Sequence, residues 1–135
     1  MQLFDLDGWK CGMALCFDIR FPILFQTLAD AGAEIIFIPS NWTKGENKFE
    51  MLKAYTQVRA AENQVYCATV DRSGKDPYFE YTGSWMLSDP IGTDVSTTYE
   101  TIYHIGEVKK ERIEEIRKKL PLKPSFKDSY TMTDI

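Results

Sequence analysis

The sequence predicts an α/β fold, because strand patterns and helix patterns alternate along its first half. Apolar runs at residues 10–15, 34–39 and 65–70 have the length and composition of buried strands. The two intervals between them, at 22–31 and 47–63, carry apolar residues at helical spacing. The order strand, helix, strand, helix, strand is typical of a layered sheet in which ligand-binding loops follow the strand ends.

The composition is that of an ordinary globular domain. The chain has 135 residues, 44% of them hydrophobic and 27% charged, which is enough for one domain with a core. A net charge of −4 argues against nucleic acid and anionic membranes as partners, because neither would be attracted. There is no apolar run of 18 residues and no secretory signal pattern at the start. We therefore expect a cytoplasmic protein with small-molecule or protein partners.

Further strands and one helix are predicted on either side of this central pattern. Residues 2–6 and 10–15 flank the turn dipeptide Asp7-Gly8, which predicts an antiparallel hairpin. Residues 84–88 are predicted to form a strand, and the alternation over 95–105 predicts one antiparallel strand with a solvent-facing side. A C-terminal helix and tail are predicted over 107–135, with an extended tail after Pro121 and a narrow apolar helix stripe formed by Val108, Ile113, Ile116 and Leu120.

Cys16 lies at the predicted corner between a strand and a helix. The buried run over residues 12–15 ends at this cysteine, and Pro22 suits the first turn of the following helix, where its missing N–H costs nothing. A thiol at such a corner lies beside unpaired N–H groups, which lower a cysteine's pKa and stabilise an oxyanion. From position alone, a nucleophile and a buried core thiol are equally open.

The residues around Cys16 resemble the nucleophile motif of the nitrilase-like carbon–nitrogen hydrolases. The motif is Cys-Phe-Asp-Ile-Arg-Phe-Pro, and further stretches match the family in order and spacing, at 31–34, 39–42, 59–63, 83 and 89–92. The resemblance implies an α-β-β-α sandwich, of which residues 1–135 look like the C-terminal half. It also implies hydrolysis of a small non-peptide amide or nitrile through a thioester on Cys16, with the backbone N–H of Phe17 holding the oxyanion and no cofactor.

The family's catalytic glutamate and lysine precede its cysteine, and this sequence departs from that pattern. Only fifteen residues precede Cys16, none is a glutamate, and the one lysine is Lys10. An extended strand would place Lys10 roughly 20 Å from Cys16 at about 3.3 Å per residue, too far to substitute. Two hypotheses account for this. The chain is either an amidase whose other half comes from another chain or lies outside the reading frame as given, or a truncated, non-catalytic remnant or partner domain.

A chain that forms only half of the α-β-β-α sandwich would also expose an apolar face of its sheet. We therefore expect the chain to associate, either as a homo-oligomer or with a complementary N-terminal half. The tail after Pro121 is a second candidate interface, because family members tend to use it between subunits.

Two aromatic side chains and one amide are candidates for the pocket wall. Asn41 and Trp42 follow a predicted strand end and are expected to bind substrate, although Trp42 could equally pack against a helix. Trp85 stands where the family usually has a small serine, and it is expected to reshape the pocket wall or the packing beneath it.

The charged residues of the matched motifs are predicted to support the structure. Asp18 and Arg20 are expected to form a local ion pair beside Cys16 rather than to bind substrate. Arg59 and Glu62 lie one helical turn apart and are expected to pair, with Asn63 ending the helix.

The remaining cysteines and the single histidine are predicted to have no catalytic role. Cys11 and Cys67 lie in apolar runs, and the odd number of three cysteines indicates reduced thiols. His104 is expected to be a solvent-facing strand residue rather than the partner of Cys16. Because the sequence has one histidine and no CxxC pair, we do not expect a metal site.

Overall fold

The computed structural model describes residues 2–99 and 103–122 and confirms the α/β prediction. In chain order the strands are β1 to β7 and the helices α1 to α3, with one 3₁₀ helix, Cys16–Arg20, which we call the Cys16 turn. Their bounds are β1 Phe4–Leu6, β2 Trp9–Met13, the Cys16 turn, α1 Pro22–Asp30, β3 Ile35–Ser40, α2 Lys48–Asn63, β4 Tyr66–Asp71, β5 Trp85–Ser88, β6 Ser96–Tyr99, β7 Tyr103–Gly106 and α3 Lys110–Lys119.

Five strands form one sheet in the order β1-β2-β3-β4-β5. β2, β3 and β4 are parallel, while β1 and β5 pair antiparallel at the two sides. The predicted hairpin is confirmed, because Leu6 pairs with Trp9 across Asp7 and Gly8, which both have positive φ as tight hairpin turns require. The carboxyl ends of the three parallel strands lie at one edge, and Cys16, Asn41 and Arg72 follow them there.

The main core lies between the sheet and the two helices α1 and α2. It is formed by buried apolar residues from both layers, mainly Phe25, Leu28, Ile36, Ile38, Leu52, Ala60 and Cys67. A Cβ on Gly12 would lie only 3.1 Å from a Leu28 methyl, so glycine at this position lets α1 approach the sheet closely. Alternate residues of each strand therefore face these helices, as the period of two requires.

The opposite face of the sheet is covered only in part by the described residues. Ile113 of α3 packs against Cys11, Ile35 and Tyr66, near the amino ends of the parallel strands. Near their carboxyl ends, apolar side chains remain in solvent, with Met13 50% and Val70 62% exposed. This half-covered apolar face borders the edge where Cys16 lies. In the described parts of the chain, no helix is long and apolar enough to cross a membrane.

Two C-terminal predictions were wrong in detail. Ser96–Tyr99 and Tyr103–Gly106 form two antiparallel strands, with Ser96 paired to Gly106, where one strand over 95–105 was predicted. One alternating pattern runs through both strands, and no Gly or Pro in the sequence between them indicates that they are separate. Ile113 and Ile116 of the predicted helix stripe are buried, but Leu120 lies beyond α3 and is exposed. The predicted extended tail lies almost wholly outside the described residues.

Candidate active site

Cys16 occupies a constrained position just beyond β2. The N–H of Ala14 donates to the carbonyl of Phe37 at 3.0 Å, so pairing with β3 continues past the end of the strand. Cys16 then adopts φ +41°, in the left-handed region that side-chain-bearing residues rarely occupy. Its side chain is half-buried at the margin of the main core. The predicted corner is present, but the Cys16 turn intervenes before α1, which begins at Pro22 as predicted.

Asp18 closes the backbone around Cys16. Its carboxylate accepts the Leu15 N–H at 2.9 Å, and its own N–H donates to the Leu15 carbonyl at 2.8 Å. The predicted ion pair between Asp18 and Arg20 was therefore wrong. Side chains two residues apart on a helical turn point in different directions, so the Asp18 carboxylate meets backbone while Arg20 meets aromatic rings.

Arg20 lies among three aromatic rings. Its guanidinium carbon is 5.0 Å from the Trp42 ring centre, 5.3 Å from that of Phe17 and 5.4 Å from that of Tyr55. The guanidinium also donates to the Tyr55 hydroxyl at 3.2 Å, whereas its buried Nε has no hydrogen-bond partner. Cation–π contacts therefore tie the Cys16 turn to α2 and to the loop after β3.

Trp42 is buried, as expected if it packs against a helix rather than lining a pocket. It is 5% exposed, its indole N–H donates to the Lys48 carbonyl at 2.7 Å, and its ring stacks on Arg20. Asn41 lies beside it at the same edge, with its side chain in solvent. Trp42 therefore contacts the Cys16 turn through Arg20. Asn41 presents an amide to solvent beside it.

Phe17 presents a free backbone donor next to Cys16. The first backbone hydrogen bond of the Cys16 turn starts at the Asp18 N–H, so the turn itself does not use the Phe17 N–H. The Phe17 ring is exposed and meets the Phe21 ring edge-on, with centres 5.7 Å apart. A donor in this position is available to an oxygen held against the Cys16 thiol.

Asp71 connects two loops at this edge, and the sequence interpretation missed it. One carboxylate oxygen accepts the backbone N–H of Trp42 at 2.5 Å. The other accepts the Thr82 hydroxyl at 2.6 Å and the Gly83 N–H at 3.1 Å. The only local signal was an acidic residue ending a buried strand run, which does not reveal the donors that converge on it.

The predicted pair between Arg59 and Glu62 is present at 2.8 Å, and the Asn63 amide donates to the Arg59 carbonyl at 2.8 Å where α2 ends. Arg59 also makes a contact that its helix does not predict. Its Nε donates to the carbonyl of Ile19, in the Cys16 turn, at 2.9 Å, and both residues are buried. This hydrogen bond joins residues forty positions apart.

The other two cysteines are core residues, as predicted. Cys11 and Cys67 are fully buried, whereas Cys16 is not. Burial raises the pKa of the Cys67 thiol. Burial, followed by the negative charges of Glu34 and Asp5, also raises the pKa of the Cys11 thiol. Within residues 2–99 and 103–122, no group of three or more His, Cys, Asp or Glu side chains could hold a metal ion.

A groove of about 610 Å³ lies on the half-covered face of the sheet; we call it the sheet groove. Its lining is mostly apolar and includes Trp9, Phe37, Val70, Trp85, Leu87 and Val108. His104 is exposed, as expected, and its ring stacks on Trp85 with centres 3.8 Å apart. Cys16, Asn41 and Trp42 do not line this groove, so the described residues do not by themselves enclose the Cys16 thiol.

Comparisons with known proteins agree on one family. A family model described as carbon-nitrogen hydrolase matches residues 1–118. Omega-amidase NIT2 of Mus musculus is 34% identical over 136 aligned residues, covering 96% of this chain and 48% of the relative. The deaminated glutathione amidase of Escherichia coli O157:H7 is 30% identical over 121 residues, covering 89% of this chain and 45% of the relative.

A solved structure gives the same result for the fold. The crystal structure of the C. elegans NitFhit protein matches with a TM-score of 0.86 at 25% identity, covering 97% of this chain and 32% of that chain. The chain therefore spans about half the length, or less, of each of these three relatives.

Proposed function

Because this chain belongs to the carbon–nitrogen hydrolase family, we propose that it supplies the nucleophile for hydrolysis of a small non-peptide amide or nitrile. For an amide, the Cys16 sulfur attacks the carbonyl carbon, and the C–N bond breaks as the nitrogen takes up a proton and leaves. Water then hydrolyses the thioester, which yields the acid and restores the thiol. The names of two relatives, an omega-amidase and a deaminated glutathione amidase, favour an amide over a nitrile.

The observation that carries this proposal is the backbone at Cys16. A half-buried thiol lies in the left-handed region at the carboxyl edge of the parallel strands, next to an N–H that the turn does not use. A core cysteine has no need of such a conformation, and Cys11 and Cys67 do not have it. In this proposal the Phe17 N–H donates to the oxyanion, the exposed Asn41 lies on the substrate side of the edge, and the buried Trp42 packs behind it.

We further propose that the chain corresponds to the C-terminal half of the family's domain and works with a complementary N-terminal half. That half would supply the glutamate that takes the thiol proton and the lysine that holds the oxyanion, since residues 1–15 contain no glutamate and only the distant Lys10. The sheet groove and the exposed Met13 and Val70 offer it an apolar surface. A second copy of the chain is the alternative occupant of this surface.

Complementation tests the proposed function. The reading frame next to this one is examined for a segment with the family's glutamate and lysine, and the two chains are expressed together. We expect a one-to-one complex that releases ammonia from small amides, while the chain alone releases none. If both chains form that complex and it hydrolyses neither amides nor nitriles, the proposed function is wrong.

A non-catalytic partner or remnant domain is the second candidate, because within residues 2–99 and 103–122 no glutamate or lysine is bonded to the Cys16 thiol. Each loss in a catalytic set of this kind costs on the order of 10²-fold or more in rate. If no neighbouring segment encodes them and the chain forms a homo-oligomer by light scattering, this candidate is the better account.

Alkylation of the native chain provides a test that requires no partner. With iodoacetamide near neutral pH, we expect one fast-reacting thiol, at Cys16, because Cys11 and Cys67 are fully buried and burial raises the pKa of both. Mass spectrometry of tryptic peptides locates the label. The Cys16→Ser variant is the control and should take up no label on that timescale. Labelling of Cys11 or Cys67 at a rate similar to that of Cys16 contradicts the expectation.

A further inference from the structure

We propose that Arg59 is the positioning residue of Cys16: its buried guanidinium fixes the far end of the Cys16 turn and so keeps the thiol-bearing residue in its left-handed conformation. The inference rests on the proposed function only in taking Cys16 as the nucleophile. Arg59 does not touch the thiol in this scheme, and it acts through the backbone of the turn.

The conformation of Cys16 needs support from its surroundings. A side-chain-bearing residue at φ +41° is strained, and such strain persists only where contacts on both sides over-determine the backbone. On the side before Cys16, the Ala14 N–H is bonded to β3 and the Leu15 N–H to the Asp18 carboxylate. These contacts fix the entry to the turn.

Arg59 provides the corresponding contact on the side after Cys16. Its Nε donates to the Ile19 carbonyl at 2.9 Å, in a place where Ile19 and Arg59 are both buried. A charged donor to a buried carbonyl makes a stronger hydrogen bond than a neutral one. Because Arg59 belongs to α2, this bond anchors the turn to the helix layer, while the bonds before Cys16 anchor it to the sheet and to itself.

The surroundings of Arg59 keep its guanidinium in one orientation. One terminal nitrogen donates to Glu62 at 2.8 Å, and the guanidinium lies over the rings of Phe25 and Tyr55, 5.7 and 5.8 Å from their centres. The planar fork of arginine reaches the Glu62 carboxylate and the Ile19 carbonyl at once. The ammonium of a lysine is a single point of charge and would not reproduce this pair of contacts.

Nuclear magnetic resonance of the labelled chain tests the proposal. The one-bond coupling between Cα and Hα of Cys16 distinguishes positive from negative φ, and it is measured in the wild type and in Arg59→Met. We expect the variant to lose the positive-φ value at Cys16 while the rest of the spectrum stays dispersed. An unchanged coupling in folded Arg59→Met overturns the proposal.

Further variants separate positioning from general stability. Glu62→Gln keeps the bond to Ile19 and should keep the positive-φ value, and so should Ile113→Ala, which weakens the separate core cluster under α3. If Arg59→Met does not fold, Arg59→Lys takes its place. Its ammonium is expected to pair with the Glu62 carboxylate and leave the Ile19 carbonyl, so the positive-φ value is again lost, and its persistence overturns the proposal.

The active complex provides a kinetic readout. We expect Arg59→Lys to lower kcat by about 10²-fold with KM changed by no more than about threefold, because a displaced nucleophile loses its alignment while the substrate surface remains. An unchanged kcat overturns positioning. The two proposals fail separately: an inactive complex refutes the proposed function and leaves the coupling at Cys16 to decide the role of Arg59.

Discussion

Replacing Cys16 with alanine in the active complex is expected to lower kcat by about 10⁴-fold or more, the scale seen when a covalent nucleophile is removed. The reason is that the thioester forms on this sulfur, and the described residues place no second thiol or hydroxyl in a comparable backbone position. Ammonia release under saturating amide measures the effect. KM and the complex itself should change little, since the side chain lost is small.

Cys67→Ala is the matched control for this substitution. Cys67 is fully buried in the main core, and burial raises the pKa of its thiol, so it cannot serve as the nucleophile. We expect this variant to lose some stability and to keep kcat within about threefold, because it leaves the Cys16 turn intact. If Cys16→Ala retains a tenth of the wild-type rate, a different group carries the chemistry.

Phe25→Ala is expected to lower the free energy of unfolding by about 3–5 kcal/mol, the cost of emptying a fully buried aromatic site. Phe25 is 0% exposed in the core between α1 and the sheet, and its ring also lies beneath the guanidinium of Arg59. Since a domain of this size has a total stability of about 5–15 kcal/mol, this loss would remove between about a fifth and all of it. Equilibrium unfolding in urea, followed by circular dichroism, measures the change.

Ile23→Ala in the same helix is the control. Ile23 is 68% exposed, so its removal empties no cavity and should change the free energy of unfolding by no more than about 0.5 kcal/mol. Equal losses from both variants would contradict the placement of α1, because they would mean that the helix does not bury its Phe25 face.

Local patterns in the sequence were sufficient for most of the fold. The helix predicted over 47–63 is found at Lys48–Asn63, and the strand predicted over 65–70 at Tyr66–Asp71. These elements are recognisable because hydrophobic period and flanking turn residues lie within a few positions of each other. The division into β6 and β7 was missed because one alternating pattern runs through both strands and no Gly or Pro separates them in the sequence.

The candidate site was predictable only in outline. Cys16 was placed at the correct edge because a buried strand run ends just before it. Its positive φ was not foreseen, since no glycine indicates it, and neither was the bond from Arg59 to Ile19, because its partners are forty residues apart. Side-chain partners of this kind depend on how layers pack, which explains why Asp18 and Arg20 pair with backbone and aromatic rings rather than with each other.

The contacts of the Asp71 carboxylate restrict the substitutions that this edge of the molecule can accept during evolution. Because it holds the Trp42 N–H with one oxygen and Thr82 and Gly83 with the other, the loop after β3 and the loop before β5 share one anchor. A replacement of Asp71 would release both loops together. Sequences that diverge at Asp71 should therefore change in both loops as well, because this one carboxylate is bonded to both of them.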